Sequence, residues 1–210
     1  FEMAREFDVD IDMHLDFGPT ADTLDLDYVC ELAERYRWGG RTAIGHVTKL
    51  AAASPARFDA AARRMRDAGV ALTCLPSTDL FLMGRDCDCN QPRGVTHTHK
   101  LLHHGVNCSL STNNVLNPFT PFGDCSLVRM ANLNANICHI GATDDIRECF
   151  NMITERSARL INARDYGLAP GRSADFVVLD CQTSEAAVAE LAPVLFAYKR
   201  GRRTLTRPAA

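Results

Sequence analysis

The sequence predicts an α/β fold of parallel βα units followed by a small separate β unit, and three observations carry that expectation. Short apolar runs alternate with stretches of helical period as far as Asn117, the pattern of strands buried on both faces and linked by helices. Four of the apolar runs end in polar clusters, His14/Asp16, His46/Thr48, Ser77/Thr78 and Asn113/Asn114, and in βα folds the C-terminal strand ends form the active-site face. After Asn117-Pro118 the later strands follow one another without intervening helices, which sets them apart as a β unit of their own.

The elements follow in order. "REFDVDIDMHLDF" alternates as a strand does, with Phe7, Val9, Ile11 and Met13 on one face. "TLDLDYVCELAERYRWGG" reads as a helix, with Leu26, Val29, Leu32 and Ala33 at helical spacing and Gly39-Gly40 as its stop. "RTAIGHVTKL" is a second strand. In "SPARFDAAARRMRDAG" Ser54 is the N-cap, Pro55 the first helical residue and Gly69 the stop. "VALTCLPST" is a third strand, followed by a polar loop from Gly84 to Gly94, a helix "THTHKLLHHG" and a fourth strand "VNCSLSTNN". "SLVRMANLNANICHI" and "TDDIRECFNMITERSARLIN" are helical, the second capped by Thr143 with Asp144 and Asp145 in its first turn. "DYGLAPGRSADFVVLD" gives a turn and a strand, and "VLFAYKRGRRTL" a strand that turns at Gly201.

Composition narrows the function. The 210 residues, 46% of them hydrophobic, suffice for one good-sized core or two modest ones. With 23 basic against 26 acidic residues the formal charge is -3, which argues against an electrostatic grip on nucleic acid. "KRGRR" is the one dense basic cluster and reads as a solvated strand end. No run approaches the roughly 20 apolar residues of a membrane span. Glu2, Arg5 and Glu6 interrupt any signal-peptide core. The expectation is a soluble, cytoplasmic protein with no nucleic-acid or membrane partner. Nine scattered cysteines suit a reducing compartment. Cys87 and Cys89 form a C-x-C without a second pair to close a tetrahedral site, so no structural zinc is assigned there. A Rossmann-type nucleotide site is disfavoured, because no G-x-G-x-x-G follows a strand and "GLAPGRS" precedes one.

"SARLINARDYGLAPGRSADFVVLD" followed by "VLFAYKRGRRT" resembles the C-terminal signature of the amidohydrolase superfamily. "DMHLD", "GHVTKL" and "RGVTHTHKLLHHGVNCSLSTNNVLNPFTPFG" resemble segments of its bacterial cytosine deaminases and related metal-dependent deaminases. The resemblance covers nearly the whole chain. It implies that residues 1–165 are the C-terminal half of a (β/α)8 TIM-type barrel and residues 166–210 part of a composite β-sandwich. Such a barrel needs roughly 250 residues, so an N-terminal half-barrel with an H-x-H metal pair is expected on another chain or outside this sequence. An oligomer is compatible with that expectation.

What the resemblance implies for the site is a divalent metal, zinc or iron with manganese as a third choice, that activates water against an sp2 carbon bonded to nitrogen. His14 corresponds to the metal-binding histidine ending strand five. His46 corresponds to the histidine ending strand six, which meets the attacking water and the substrate. Asn113 stands where the family has a metal-binding, proton-accepting aspartate. An amide has no charge and is no base. Phe17 replaces the glutamate that shuttles protons, and Asp16 cannot stand in, because strand neighbours face opposite ways. Arg85 (with Met83), Asn117 and Phe119 are expected to line the substrate pocket. Lys49, the pair His97/His99, and His103/His104 read as surface or helix-end residues. The function expected is hydrolysis of a non-peptide C–N bond in a small cyclic amidine or amide. The alternative is a metal-free or non-catalytic homologue that binds a ligand or partner, motivated by Asn113 and Phe17.

Overall fold

The computed structural model describes residues 1–207. Four strands, β1 (Ile11–Leu15), β2 (Thr42–His46), β3 (Val70–Cys74) and β4 (Cys108–Leu110), form one parallel sheet in the order β1-β2-β3-β4. The helices that connect them are α2 (Leu26–Tyr36), α3 (Pro55–Ala68), α4 (Pro76–Leu82) and α5 (Thr98–His103), with a short helix α1 (Glu2–Phe7) ahead of the sheet. α6 (Leu127–Ile137), α7 (Thr143–Asn151) and α8 (Glu155–Leu160) follow. A three-stranded antiparallel sheet of β5 (Phe176–Leu179), β6 (Val194–Lys199) and β7 (Arg202–Thr206) carries the helix α9 (Ser184–Ala189) between its first two strands.

The core lies between the parallel sheet and its helices. β2 is buried at every position, as a central parallel strand covered on both faces should be. Leu26, Ile44, Leu50, Met65, Leu72, Leu101 and Met152 are completely buried there, each burial worth about 1.5–3 kcal/mol. α3 forms as its sequence dictates. Ser54 Oγ accepts the Arg57 N–H at 3.3 Å, Pro55 opens the first turn, and Gly69 closes it at φ 66°.

Several expectations are corrected. The first strand begins only at Ile11, because its partner β2 begins at Thr42 and pairing starts at Ile11↔Thr42. Upstream of it Glu2–Phe7 is helical, and Phe7 and Val9 are exposed. α2 ends at Tyr36 with Arg37 left-handed at its C-cap, ahead of the Gly39-Gly40 turn. The third strand stops at Cys74, because Pro76, at the start of α4, favours a helical first turn. Ser77 and Thr78 therefore lie in a helix and are not a strand end. Ala142, not Thr143, is the N-cap of α7, and the stretch after it splits into α7 and α8 at Thr154. The late strands do have an intervening helix. α9 is capped by Thr183, which accepts the Ala186 N–H at 3.1 Å, and its Ala187 and Val188 are buried as α9 packs on α6 and α7.

Candidate active site

The parallel register sets one row of side chains across the face of the sheet opposite the core helices. His14 pairs with Gly45, Gly45 with Thr73, and Thr73 with Ser109. Thr73 Oγ1 and Ser109 Oγ hydrogen-bond at 2.9 Å across two strands. Gly45 leaves the space that the His14 ring occupies: a Cβ there would lie 3.1 Å from His14 Cδ2. The side chain of His14 thus leans along the sheet toward the end of β2.

His46 meets it from the last position of β2. Both His46 (φ 69°) and Val47 (φ 51°) are left-handed, a conformation costing a β-branched residue about 1–2 kcal/mol. Thr96, fully buried, holds that turn by donating its hydroxyl to Val47 O at 2.7 Å and to His46 O at 3.3 Å. The imidazole projects from this fixed backbone into three polar contacts. His46 Nδ1 lies 2.6 Å from Asp79 Oδ1, its Nε2 lies 3.2 Å from His14 Nδ1, and Asn113 Nδ2 lies 3.4 Å from the same Nε2. Asn113, beyond β4, is itself left-handed at φ 58°, which aims its amide across the strand ends. Phe17 presents its ring edge-on to His46 with centroids 5.7 Å apart.

His14, His46 and Asn113, three of the residues singled out from the sequence, are therefore in one contact network. Arg85, Asn117 and Phe119 are not part of it. The Arg85 guanidinium stacks over Phe81 at 5.2 Å. Asn117 uses its side chain inside its own loop, donating to Asn114 Oδ1 and accepting the Phe119 and Thr120 N–H groups. Phe119 is exposed beside it. Lys49 is drawn inward: Nζ sits 3.3 Å from Asp16 Oδ1 and 3.0 Å from Thr23 O. Asp16 is a structural anchor, fully buried at the side chain, and accepts the Asp25 and Leu26 N–H groups at 2.8 and 2.9 Å. The His97 and His99 rings meet edge to face at 5.8 Å, because His97 caps α5 with non-helical geometry. Burial and the cations Lys100 and Arg93 push the His97 imidazole down to about 4. His103 and His104 pair with Asp145 and Asp59.

Asp79 is the member of the network that sequence reasoning missed. The signal was present: Pro76 at a helix start places Asp79 in the first turn of α4, on the wall of the strand-end cluster. Burial raises its carboxyl above the ordinary aspartate range, opposed by the hydrogen bond to His46.

Among the described residues no group of three or more His, Cys, Asp or Glu side chains is placed to hold an ion. Two imidazoles and a neutral amide fall short of the three protein ligands typical of a catalytic zinc. The described residues do not compose a metal site by themselves.

Comparison with known proteins places this arrangement. A model of the amidohydrolase family matches residues 1–204. The N-isopropylammelide isopropyl amidohydrolase of Pseudomonas sp. (strain ADP) is 26% identical over 204 residues, 96% of this chain and 47% of that protein. The pterin deaminase of Rhizobium rhizogenes (strain K84 / ATCC BAA-868) is 26% identical over 176 residues, 83% of this chain and 40% of that protein. Among solved structures, the 5-methylcytosine deaminase of Klebsiella pneumoniae liganded with 5-fluorocytosine superposes with a TM-score of 0.94 at 26% identity, covering all of this chain and 51% of that one. The chain spans about half the length of the relatives it matches.

Proposed function

This chain belongs to the amidohydrolase family, and on that premise we propose that the protein containing it hydrolyses a non-peptide C–N bond in a small cyclic amidine or amide. The observation that carries this reading is the convergence of His14 and Asn113 on His46 Nε2 at the strand ends. The names of the relatives, an N-isopropylammelide amidohydrolase, a pterin deaminase and a 5-methylcytosine deaminase, support the substrate class. Each name describes hydrolysis at a nitrogen-rich ring or at an amine attached to one.

In this reading residues 1–165 are the C-terminal half of a (β/α)8 barrel and residues 166–210 a portion of a β-sandwich. Support comes from four parallel strands in sequence order, and from relatives roughly twice as long as the chain. The partner that would complete the barrel is an N-terminal half, in the same polypeptide or on another.

His46 would hold the attacking water and take its proton on Nε2 as oxygen bonds to the ring carbon. The same proton then goes to the departing nitrogen as its bond to the ring carbon breaks, which releases a free amine or ammonia and leaves a ring C–OH, whose proton moves to the adjacent ring nitrogen to give the carbonyl. Asn113 orients but cannot ionise, and Phe17 walls the site with an aromatic edge where a carboxylate would otherwise exchange protons. A divalent zinc, iron or manganese ion, when bound, supplies a polarised water of lowered pKa. His14 is the residue this chain would contribute to it, with further ligands from outside the described residues.

Incubating the intact protein with cytosine-, aminotriazine- and aminopteridine-type compounds, and measuring released ammonia or amine, tests the reading. Turnover of at least one class is expected. Saturable binding without release would favour the second reading, a non-catalytic homologue, to which the amide at Asn113 also points.

A further inference from the structure

We propose that Asp79 is the positioning residue of the site, fixing His46 in the Nδ1–H tautomer so that its Nε2 is the acceptor that faces His14 and Asn113. The inference rests on the catalytic reading of His46 given above, and it identifies what holds that ring.

Three independent observations converge. First, the backbone of His46 is immobilised by its left-handed turn and by Thr96, so that the ring flip and the site of its proton are the freedoms left. Second, Asn113 Nδ2 can only donate, and it lies 3.4 Å from His46 Nε2. Nε2 must then carry the lone pair, and in the neutral ring the proton resides on Nδ1. Third, the atom facing Nδ1 is Asp79 Oδ1 at 2.6 Å, a carboxylate oxygen that accepts that proton's hydrogen bond. Only one tautomer satisfies both neighbours.

Asp79 is well placed for this role. Its side chain is fully buried, where a lone carboxylate is costly unless it is hydrogen-bonded. It sits on a helix instead of a loop, and its second oxygen, Oδ2, has no partner, so the side-chain hydrogen bond it makes is the one to His46. The carboxylate–histidine arrangement recurs wherever a protein must choose which ring nitrogen works.

Two-bond 1H–15N correlation spectra of the intact protein with labelled histidine, near pH 8, read the tautomer directly. His46 is assigned by the signals lost in His46→Gln. The expected result is a protonated Nδ1 and a bare Nε2 in the wild type, with Asp79→Leu, which cannot accept the Nδ1 proton, raising the Nε2–H share about tenfold or more. A wild-type ring that is protonated on Nε2, or on both nitrogens, overturns the proposal. So does an Asp79→Leu variant with an unchanged tautomer. Should Asp79→Leu not fold, Asp79→Ala is read in its place by the same criterion. Because the readout needs no substrate, an Nδ1–H tautomer in a protein without turnover would count against the proposed function only. The opposite tautomer in an active protein would count against Asp79 and against Nε2 as the proton acceptor, and would leave the hydrolytic activity itself standing.

Discussion

Replacing Asp16 by alanine should destabilise the protein by about 3–5 kcal/mol, a large share of the roughly 5–15 kcal/mol that holds a typical domain together. The magnitude follows from what the carboxylate does. It accepts the N–H groups of Asp25 and Leu26 at the start of α2, where the N-cap residue itself makes no side-chain cap bond. Its charge also complements the helix dipole there. Each such bond to a charged acceptor contributes about 1.5–3 kcal/mol, and the two donors would be left without it. Lys49, 19% exposed at its side chain, would lose its carboxylate partner as well. Asp16→Asn keeps one acceptor oxygen and should lose about half as much. Adding Lys49→Met to Asp16→Ala should recover part of the loss, since the stranded charge is then removed. Urea unfolding of the intact protein, compared at equal slope, measures all three. An Asp16→Ala loss below about 1 kcal/mol would refute the assignment of Asp16 as the anchor between β1, α2 and the loop after β2.

Two further perturbations test other parts of the site. Gly45→Ala places a methyl group 3.1 Å from His14 Cδ2. We expect a stability change under about 1 kcal/mol, since the His14 ring can swing into open space, but a loss of turnover of about tenfold from its displacement; unchanged kcat/KM would contradict the role given to that contact. The His97 ring, depressed to about 4 when folded against the ordinary imidazole value of 6.5, makes the unfolded chain hold more protons between those limits. Its contribution is therefore complete above pH 6.5 and is lost as pH falls toward 4. Half exposure and solvent screening keep the effect well below the full shift. His97→Gln should flatten the fall in urea midpoint over that range, and an unaltered slope would show that His97 is not its source.

Much of the fold was legible because strand and helix periods are strong local signals. The parallel βα alternation, the caps at Ser54 and Gly69, and the strand-end positions of His14, His46 and Asn113 all follow from residues close in sequence. What was not legible depended on partners. The alternation at Phe7 and Val9 looks like a strand, yet β2 begins too late to pair with it. α9 is too short to stand out by period and gains its stability by burying Ala187 and Val188 against helices distant in sequence. Asp79 lies just past the segment read as a strand, in a stretch assigned to no element, and its meaning appears only where α4 brings it to His46. The left-handed backbone at Val47, next to His46, is likewise invisible in a β-branched residue that ordinarily avoids it.

The most direct measurement is the rate of amine or ammonia release by the intact protein from a nitrogen-rich heterocycle, wild type against His46→Ala. We expect turnover by the wild type and a fall of about 10²–10⁴-fold in kcat/KM in a variant that remains folded. Equal rates in the two proteins would contradict the assignment of His46 as the group that takes the proton from the attacking water.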